Sequence, residues 1–185
     1  MFPEISLHIL DVAQNSLRAG ASLIEIFLFT DTEKSTFCFK IRDNGCGMSA
    51  EQVRRVTDPF YTSRTTRRVG LGVPFLKQAA EATGGFIKIK SEEGSGTEIS
   101  AIFHTDHIDC MPLGDITETM MTLLEGGKNV DFIYTYDVDG REFVLDTREV
   151  REILGEVSFS EPEVRTFLTE YLTENKKEVD EGRQT

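Results

Sequence analysis

The sequence predicts an α+β fold in which helices pack on one face of a mixed sheet. Apolar residues recur near a helical period between residues 4 and 19, and Gly20 is well placed to end that helix. The run TFCFKIR, residues 36–42, alternates apolar and polar residues as a half-buried strand does. The segments follow the order helix, strand, strand, helix, helix, strand, strand. We expect this first unit to span residues 1–105.

The other elements of this unit have local signals of their own. LIEIFLF, residues 23–29, is typical of a strand that is buried on both faces over much of its length. Ser49 followed by Gln52 forms a capping box, which predicts the start of a short helix. The remaining predicted elements are helices near 50–57 and 71–83 and strands at 86–90 and 97–104.

Residues 106–185 have a different pattern and predict a small α+β C-terminal appendage. Its predicted elements are a helix at about 114–125, a hairpin turning at Val138-Asp139-Gly140, and two helices, the second with a capping box from Ser160 to Glu163. The charged tail from Glu174 onward is expected to fray. This appendage is expected to cover a sheet edge, form a homodimer or hold a partner, and the sequence leaves these three roles open.

Composition narrows the classes of function. The 185 residues include 20 Lys and Arg against 32 Asp and Glu, a net charge of −12, which disfavours binding to nucleic acid. The three cysteines are far apart and suggest neither a zinc site nor a disulfide framework. No apolar run approaches the roughly 20 residues needed to span a bilayer, and the amino terminus does not resemble a signal peptide. We expect a cytoplasmic protein with no membrane span.

The first segment with candidate functional residues is DVAQN, in the first predicted helix. Asp11 and Asn15 are four residues apart, so they lie on one helix face. A carboxylate and a carboxamide in this arrangement can orient a water and help hold a hydrated Mg²⁺. The exposed polar face of an amphipathic helix explains the same two residues equally well.

The second segment is DNGCGM, residues 43–48, at the end of a predicted strand. The Asp43 carboxylate can accept a hydrogen bond from an exocyclic amine. Gly45 and Gly47 would let the backbone approach a flat ring closely. A tight turn with Asp and Asn in their usual turn roles is the alternative explanation.

The third segment is PFYTSRTTRRVGLGVPF, residues 59–75, where an arginine-rich loop becomes a helix. A helix amino terminus offers unpaired N–H groups and partial positive charge, which suit phosphate. Arginines add charge and forked donors. The segment is neither a P-loop nor the dinucleotide fingerprint, because both glycine patterns are incomplete.

The fourth segment is GSGTEIS, residues 94–100, in which Thr97 opens a strand after a glycine turn. Its hydroxyl can donate to, or accept from, a neighbouring ring or carboxylate. A hairpin turn followed by a threonine that favours strands is the alternative.

Taken in this order, the segments resemble the GHKL, or Bergerat-fold, ATPases, which include histidine kinases, type II topoisomerases, mismatch-repair ATPases, heat-shock chaperone ATPases and anti-sigma-factor serine kinases. DVAQNSLRAGA is similar to the family's N box, DNGCGM to its first glycine box, PFYTSR to its F box, VGLGV to its second glycine box and GSGT to the last. The resemblance covers roughly residues 5–104. It is closest to histidine-kinase ATP-binding domains and anti-sigma-factor serine kinases.

The resemblance implies a two-layer α/β sandwich that binds ATP or ADP with Mg²⁺. Asn15 would contribute to Mg²⁺ binding, Asp43 would bond the adenine amino group, and Thr97 would support the adenine through Asp43 or a water. The other implied nucleotide-binding residues are Gly45, Gly47 and Met48 at the base, Phe60, Ser63, Arg64, Arg67 and Arg68 in an ATP lid that is mobile without nucleotide, and Gly70, Leu71, Gly72 and Val73 at the phosphates.

Two departures from the family pattern leave the reaction open. Asp11 stands where ATP-hydrolysing members usually carry a glutamate general base, and its side chain is one methylene shorter. Asp11 therefore hydrolyses ATP slowly, only helps place magnesium, or activates a substrate hydroxyl. Arg18 stands where several hydrolysing relatives carry an acid. His8, in the same helix, is expected to be structural.

The resemblance thus predicts a MgATP-binding, stand-alone protein kinase or phosphotransferase that acts on a regulatory protein partner in signal transduction. The alternatives are an ATP-gated binding module without catalysis and a slow ATPase.

Overall fold

The computed structural model describes residues 2–58, 72–155 and 157–182. Its helices are α1 (Ile5–Arg18), α2 (Ala50–Arg55), α3 (Gly72–Ala82), α4 (Ile116–Gly126), α5 (Thr147–Leu154) and α6 (Pro162–Glu181). Its strands are β1 (Leu23–Asp31), β2 (Thr36–Asp43), β3 (Phe86–Glu92), β4 (Gly96–His104), β5 (Asp131–Val138) and β6 (Arg141–Asp146). No helix within these described ranges is long and apolar enough to cross a bilayer.

The described strands form one mixed sheet in the order β3-β4-β2-β1-β5-β6. β1 pairs antiparallel with β2, placing Ile26 opposite Ile41, and parallel with β5, placing Ile26 opposite Tyr134. The predicted α+β class, with helices on one face of a mixed sheet, is confirmed. The hairpin of the C-terminal segment extends the same sheet, because β5 lies directly beside β1.

The main helical layer covers one face of this sheet. α1 lies over β2 and contacts α3 on one side and α4 on the other, while α6 contacts α4, β5 and β6. The helix-facing side chains of the central strands are fully buried, among them Leu28, Phe39, Phe103 and Phe132. Burying each such side chain contributes about 1.5–3 kcal/mol. This packing fixes α1 against the end of β2, where the candidate site lies.

Several local predictions are confirmed in atomic detail. The Gln52 backbone N–H donates to Ser49 Oγ at 3.2 Å, and the Ser49 N–H donates to Gln52 Oε1 at 2.8 Å, which completes the capping box of α2. The β5–β6 hairpin turns at Asp139 and Gly140, with φ of 54° and 82°. Two consecutive positive φ values are what a two-residue turn of this kind requires.

The predictions for β1 and α6 need correction. β1 is buried on its helix-facing side alone, because no described helix covers the other side. α6 begins at Pro162 and its N-cap residue, Glu161, makes no side-chain cap bond, so the predicted capping box from Ser160 is wrong. The helix does not fray after Glu174.

The end of α6 is held in place by contacts with the β5–β6 hairpin. Val179 is buried, and its carbonyl accepts a bond from Arg141 Nε at 2.8 Å. Tyr136 Oη donates to Asp180 Oδ1 at 2.6 Å, and burial together with this bond raises the pKa of the tyrosine. The last helical turns are therefore part of the fold.

Candidate functional site

Asp43, the last residue of β2, is a buried carboxylate held by three donors. Ser16 Oγ donates to its Oδ2 at 2.5 Å, and the backbone N–H groups of Gly45 and Thr97 donate to its Oδ1 at 2.9 and 3.3 Å. A carboxylate has about four acceptor positions. The three bonds fix its orientation and leave one position on Oδ2 for a further donor.

The two glycines of the DNGCGM loop are required by close packing. A Cβ on Gly45 would lie 2.8 Å from the Ala19 carbonyl oxygen, at the end of α1. A Cβ on Gly47, which has a φ of 67°, would lie 1.9 Å from the Glu92 carbonyl oxygen. Both glycines thus bring the loop against neighbouring backbone. Their contact with an adenine ring stays a prediction.

A chain of hydroxyl groups lies beside Asp43. The Met48 N–H donates to Ser91 Oγ at 2.8 Å, and Ser91 Oγ donates to the Gly96 carbonyl at 2.9 Å. Because Ser91 has a single hydroxyl proton, the 2.8 Å contact between Ser91 Oγ and Thr97 Oγ1 is a bond donated by Thr97. The Thr97 oxygen therefore keeps its lone pairs for another donor, and Met48 is anchored at the same place.

Asp11 and Asn15 project from α1, with Asp11 half-buried and Asn15 exposed. A Cβ built on Gly72, the first residue of α3, would lie 1.6 Å from Asp11 Oδ2. The Asp11 carboxylate therefore lies against the amino terminus of α3, where the helix dipole stabilises negative charge. This position is also where the resemblance expects phosphates.

Asn15 accepts a hydrogen bond from a neighbouring cationic side chain. Arg18 Nη1 donates to Asn15 Oδ1 at 2.8 Å. A carboxamide oxygen has two lone pairs, so one remains for a metal. The residues present thus fit a Mg²⁺ held by one protein oxygen, phosphate oxygens and waters, which is a common arrangement for this ion. Among the described residues, no cluster of three or more His, Cys, Asp or Glu offers an all-protein metal site.

Of the remaining predicted nucleotide-binding residues, the structure describes only Val73. Val73 belongs to α3 and its side chain is buried in the core. The others, namely Phe60, Ser63, Arg64, Arg67, Arg68, Gly70 and Leu71, lie outside the described residues.

A cavity of about 330 Å³ opens beside Asp43, at the ends of β2, β3 and β4. This volume is at the lower end of the range for small-molecule sites. Its lining includes Asp43, Ser91 and Thr97 together with charged side chains of the opposite sheet face, Arg42 and Lys90. Polar groups that are fixed by the protein therefore border a space open to a ligand.

Sequence reasoning missed Ser16, Ser91 and the anchoring role of Asn44. Asn44 Oδ1 accepts bonds from the backbone N–H groups of Ser22 and Leu23, at 2.8 and 3.0 Å, which ties the loop to the start of β1. A signal existed for Ser16, because it falls on the helical face that buries Ile9, Val12 and Ala13. A hydroxyl on a buried face needs a partner.

Comparison with known proteins shows the family to which this chain belongs. Residues 4–107, more than half of the chain, match the family model described as "Histidine kinase-, DNA gyrase B-, and HSP90-like ATPase". A putative sensor protein of Shewanella frigidimarina is 31% identical over 97 residues, which cover 51% of this chain and 15% of that protein. The sensor histidine kinase YxdK of Bacillus subtilis is 28% identical over 86 residues, which cover 44% of this chain and 26% of the kinase. The chain thus spans about a quarter or less of the length of these relatives.

Solved structures share the fold. The N-terminal domain of a DNA repair protein superposes with a TM-score of 0.55 at 13% identity, covering 78% of this chain and 53% of that one. The ADP-complexed MutL ATPase domain of Aquifex aeolicus superposes with a TM-score of 0.51 at 16% identity, covering 83% and 70%. The sheet, the helical layer and the matched segment together show that the chain belongs to the histidine kinase-, DNA gyrase B- and HSP90-like ATPase family and carries a GHKL-type ATP-binding domain of the histidine-kinase-like kind.

Proposed function

We propose that this chain binds MgATP at the Asp43 end of the sheet and transfers the γ-phosphate to a partner protein, as a stand-alone protein kinase or phosphotransferase in regulation. The observation that carries the proposal is the Asp43 carboxylate, which is buried and held by three donors yet keeps one acceptor position. A fixed acceptor at the edge of a cavity recognises a donor of matching geometry.

Adenine suits this acceptor because its exocyclic amine is a donor. Guanine has a carbonyl oxygen at the corresponding ring position, which would face the carboxylate with like partial charge. A buried polar group left unpaired costs about 1–3 kcal/mol, so the site should prefer ATP to GTP by roughly tenfold or more. The free lone pairs of Thr97 Oγ1 offer a second polar contact at the base.

The phosphates are expected at the amino terminus of α3, beside Asp11 and Asn15. Phosphoryl transfer depends mainly on positioning and on neutralising charge. Mg²⁺, when bound, would supply that neutralisation, with Asn15 Oδ1 as its protein oxygen. The Asp11 carboxylate, half-buried and against Gly72, would accept the proton of a substrate hydroxyl. The similarity to a sensor histidine kinase supports phosphoryl transfer to a protein.

An ATP-gated binding module is the second candidate, and the Arg18–Asn15 bond favours it. A guanidinium on Asn15 Oδ1 places positive charge where the metal is expected and opposes its binding. In that case ATP binding would order the site without turnover, and residues 106–185 would engage the partner. A slow ATPase is a third candidate, in which Asp11 would position a water instead of a substrate hydroxyl.

The deciding experiment follows the γ-phosphate. The full chain is incubated with γ-labelled ATP, Mg²⁺ and a cell lysate, in parallel with Asp43→Ala and Asp11→Asn variants. Label on a lysate protein, lost in both variants, is the result that the kinase proposal expects. Label released only as free phosphate supports the slow ATPase instead. Tight ATP binding with label in neither product overturns the enzyme proposal and leaves the binding module.

A further inference from the structure

β6 forms one edge of the sheet, and among the described strands β5 alone pairs with it. The hairpin turns over two residues, so the pair that flanks the turn, Val138 and Arg141, is hydrogen-bonded, and so is every second pair after it. Glu142 and Val144 lie between these pairs, and their backbone N–H and C=O groups therefore point away from β5. Such an unpaired edge can accept an extended strand from another chain.

The opposite edge of the sheet, β3, is protected against such pairing. Lys88 and Lys90 are exposed on it, and α2 contacts it. Lysines on an edge strand oppose the approach of another strand. β6 contains no lysine, and Val144 at its middle is 47% exposed. Of these two edges, β6 is therefore the one that is open to an added strand.

α6 carries two aromatic side chains on the side of the β6 edge. Arg165 lies on the opposite flank of α6, because it bonds two carboxylates of α4. At about 100° per residue, Phe167 and Tyr171 lie about 120–160° around the helix from Arg165. Their ring centroids are 5.9 Å apart, and the Tyr171 ring is 5.5 Å from the ring of Phe143 on β6. Phe167 is 57% and Tyr171 38% exposed, so alternate side chains of an added strand could pack on them.

Carboxylates surround this aromatic pair. The same flank of α6 carries three exposed acidic residues, Glu163, Glu170 and Glu174. Each lies within about 60° of Phe167 around the helix axis. Glu142 is exposed on β6, and no cation among the described residues pairs with any of the four. Apolar side chains flanked by lysine or arginine would complement this surface in both packing and charge.

A second copy of this chain does not fit the surface. Two β6 edges paired about a two-fold axis would bring the two acidic flanks of α6 together, and like charges that meet at an interface are costly. We propose that the β6 edge and the adjacent flank of α6 bind an extended, basic segment of a partner protein, which adds a strand to the sheet. Its apolar residues pack on Phe167 and Tyr171, and its basic residues pair with the carboxylates. This inference goes beyond the proposed function, because the binding needs no nucleotide.

The test uses a fluorescent, end-blocked heptapeptide of alternating lysine and valine, titrated with the full chain in the absence of nucleotide and followed by anisotropy. We expect saturable binding that weakens at high salt, because the paired charges are exposed. The matched peptide with glutamate in place of lysine should bind at least about tenfold more weakly. Two further peptides carry N-methyl groups on the lysine amides or on the valine amides. One of the two should lose binding, because alternate amides of an added strand face β6.

Variants of the chain test the edge and the aromatic pair separately. Val144→Pro removes an outward N–H without removing a bond to β5, and should weaken peptide binding by about tenfold or more. Val144→Thr is its control, because the N–H is kept. Phe167→Ala should weaken binding by about tenfold. Phe86→Ala is the matched control, since Phe86 is 55% exposed but lies on β3. Thermal unfolding checks that each variant is folded.

A charge variant tests the identity of the occupant. Combining Glu170→Lys with Glu174→Lys should lower the preference for the lysine peptide over the glutamate peptide by at least about tenfold. Asp43→Ala, in which ATP binding is expected to be lost, should bind the lysine peptide as the wild type does, so this proposal and the proposed function can fail independently.

Three results with the peptides would each overturn the proposal: no binding of the lysine peptide by the wild type, equal binding of the lysine and glutamate peptides, or full binding of both N-methylated peptides. Wild-type dimers that are lost in Val144→Pro, measured by sedimentation equilibrium, would assign the edge to a second copy and would also overturn it.

Discussion

Ser16 Oγ donates a hydrogen bond to Asp43 Oδ2 at 2.5 Å, joining the first helix to the end of β2 across 27 residues of sequence. Both residues are buried, with exposures of 4% and 7%. Bonds to an ionised acceptor are stronger than neutral ones. The bond therefore sets which Oδ2 lone pair remains for a ligand, and it links the helix of Asp11 and Asn15 to the proposed base-recognition site.

We expect Ser16→Ala to weaken ATP binding by about three- to tenfold and to lower the free energy of unfolding by about 1 kcal/mol, because the Asp43 carboxylate loses the one side-chain donor that it has among the described residues. Calorimetric titration with ATP and chemical denaturation measure the two effects. Ser6→Ala is the matched control, since Ser6 is also buried on α1 but bonds Glu4. Equal ATP affinity in all three proteins would show that Ser16 does not orient Asp43.

Arg18 should limit metal binding at Asn15. Removing its guanidinium in Arg18→Ala frees both lone pairs of Asn15 Oδ1 and removes a nearby positive charge. We expect the ATP affinity measured with Mg²⁺, divided by the ATP affinity measured with a chelator, to rise a few-fold. The effect is small because Arg18 is exposed and its charge is screened by solvent. Asn15→Ala should lower the same ratio, because the metal loses its protein oxygen. A ratio unchanged in both variants would contradict a magnesium role for Asn15.

Gly72 should be intolerant of a side chain because of Asp11. A methyl group there would meet Asp11 Oδ2 at 1.6 Å, so Gly72→Ala must displace the carboxylate or α3. We expect lower stability and weaker ATP binding. Adding Asp11→Ala should restore stability by at least about 1 kcal/mol, a coupling that marks direct contact. Gly126→Ala is the control, since its new methyl meets nothing within 4 Å. Simple additivity of Gly72→Ala and Asp11→Ala would rule out the contact.

His8 should make stability depend on pH below neutrality. Burial, and then the charged chain terminus, lower its pKa from 6.5 to about 4. Between pH 6.5 and 4 the unfolded chain gains a proton that the folded chain does not, so stability falls as the pH falls. The loss levels off below pH 4 at about 3 kcal/mol, and above pH 6.5 there is no contribution.

The His8→Leu variant should remove this slope, and chemical denaturation from pH 4 to 7 measures it. His107→Leu is the control, because His107 is at the surface. If His8→Leu keeps the slope of the wild type, the imidazole does not stay neutral in the folded chain.

Elements that local signals define were predictable from the sequence. The Ser49–Gln52 capping box and the Asp139-Gly140 turn depend on residues within four positions, and both are confirmed. The order of helices and strands likewise follows from the periodicity of apolar residues and from the glycines between the elements. The resemblance of the five boxes extended this prediction to the two-layer architecture.

Contacts between distant residues were not predictable. Nothing local indicates that Ser16 meets Asp43, that Asp11 lies against Gly72, or that β5 joins the sheet beside β1, because tertiary packing selects these pairs. The wrong prediction for the end of α6 has the same cause. Its charged sequence favours fraying, but the burial of Val179 and the bond from Tyr136 to Asp180 hold it.

Recognition of adenine by Asp43 can be measured by calorimetric titration of ATP and GTP into the wild type and the Asp43→Ala variant. Asp106→Ala, at an exposed position, serves as the control. We expect the wild type and the control to bind ATP at least about tenfold more tightly than GTP, and Asp43→Ala to remain folded and bind neither nucleotide measurably. Undiminished ATP affinity in a folded Asp43→Ala variant would show that Asp43 does not recognise adenine.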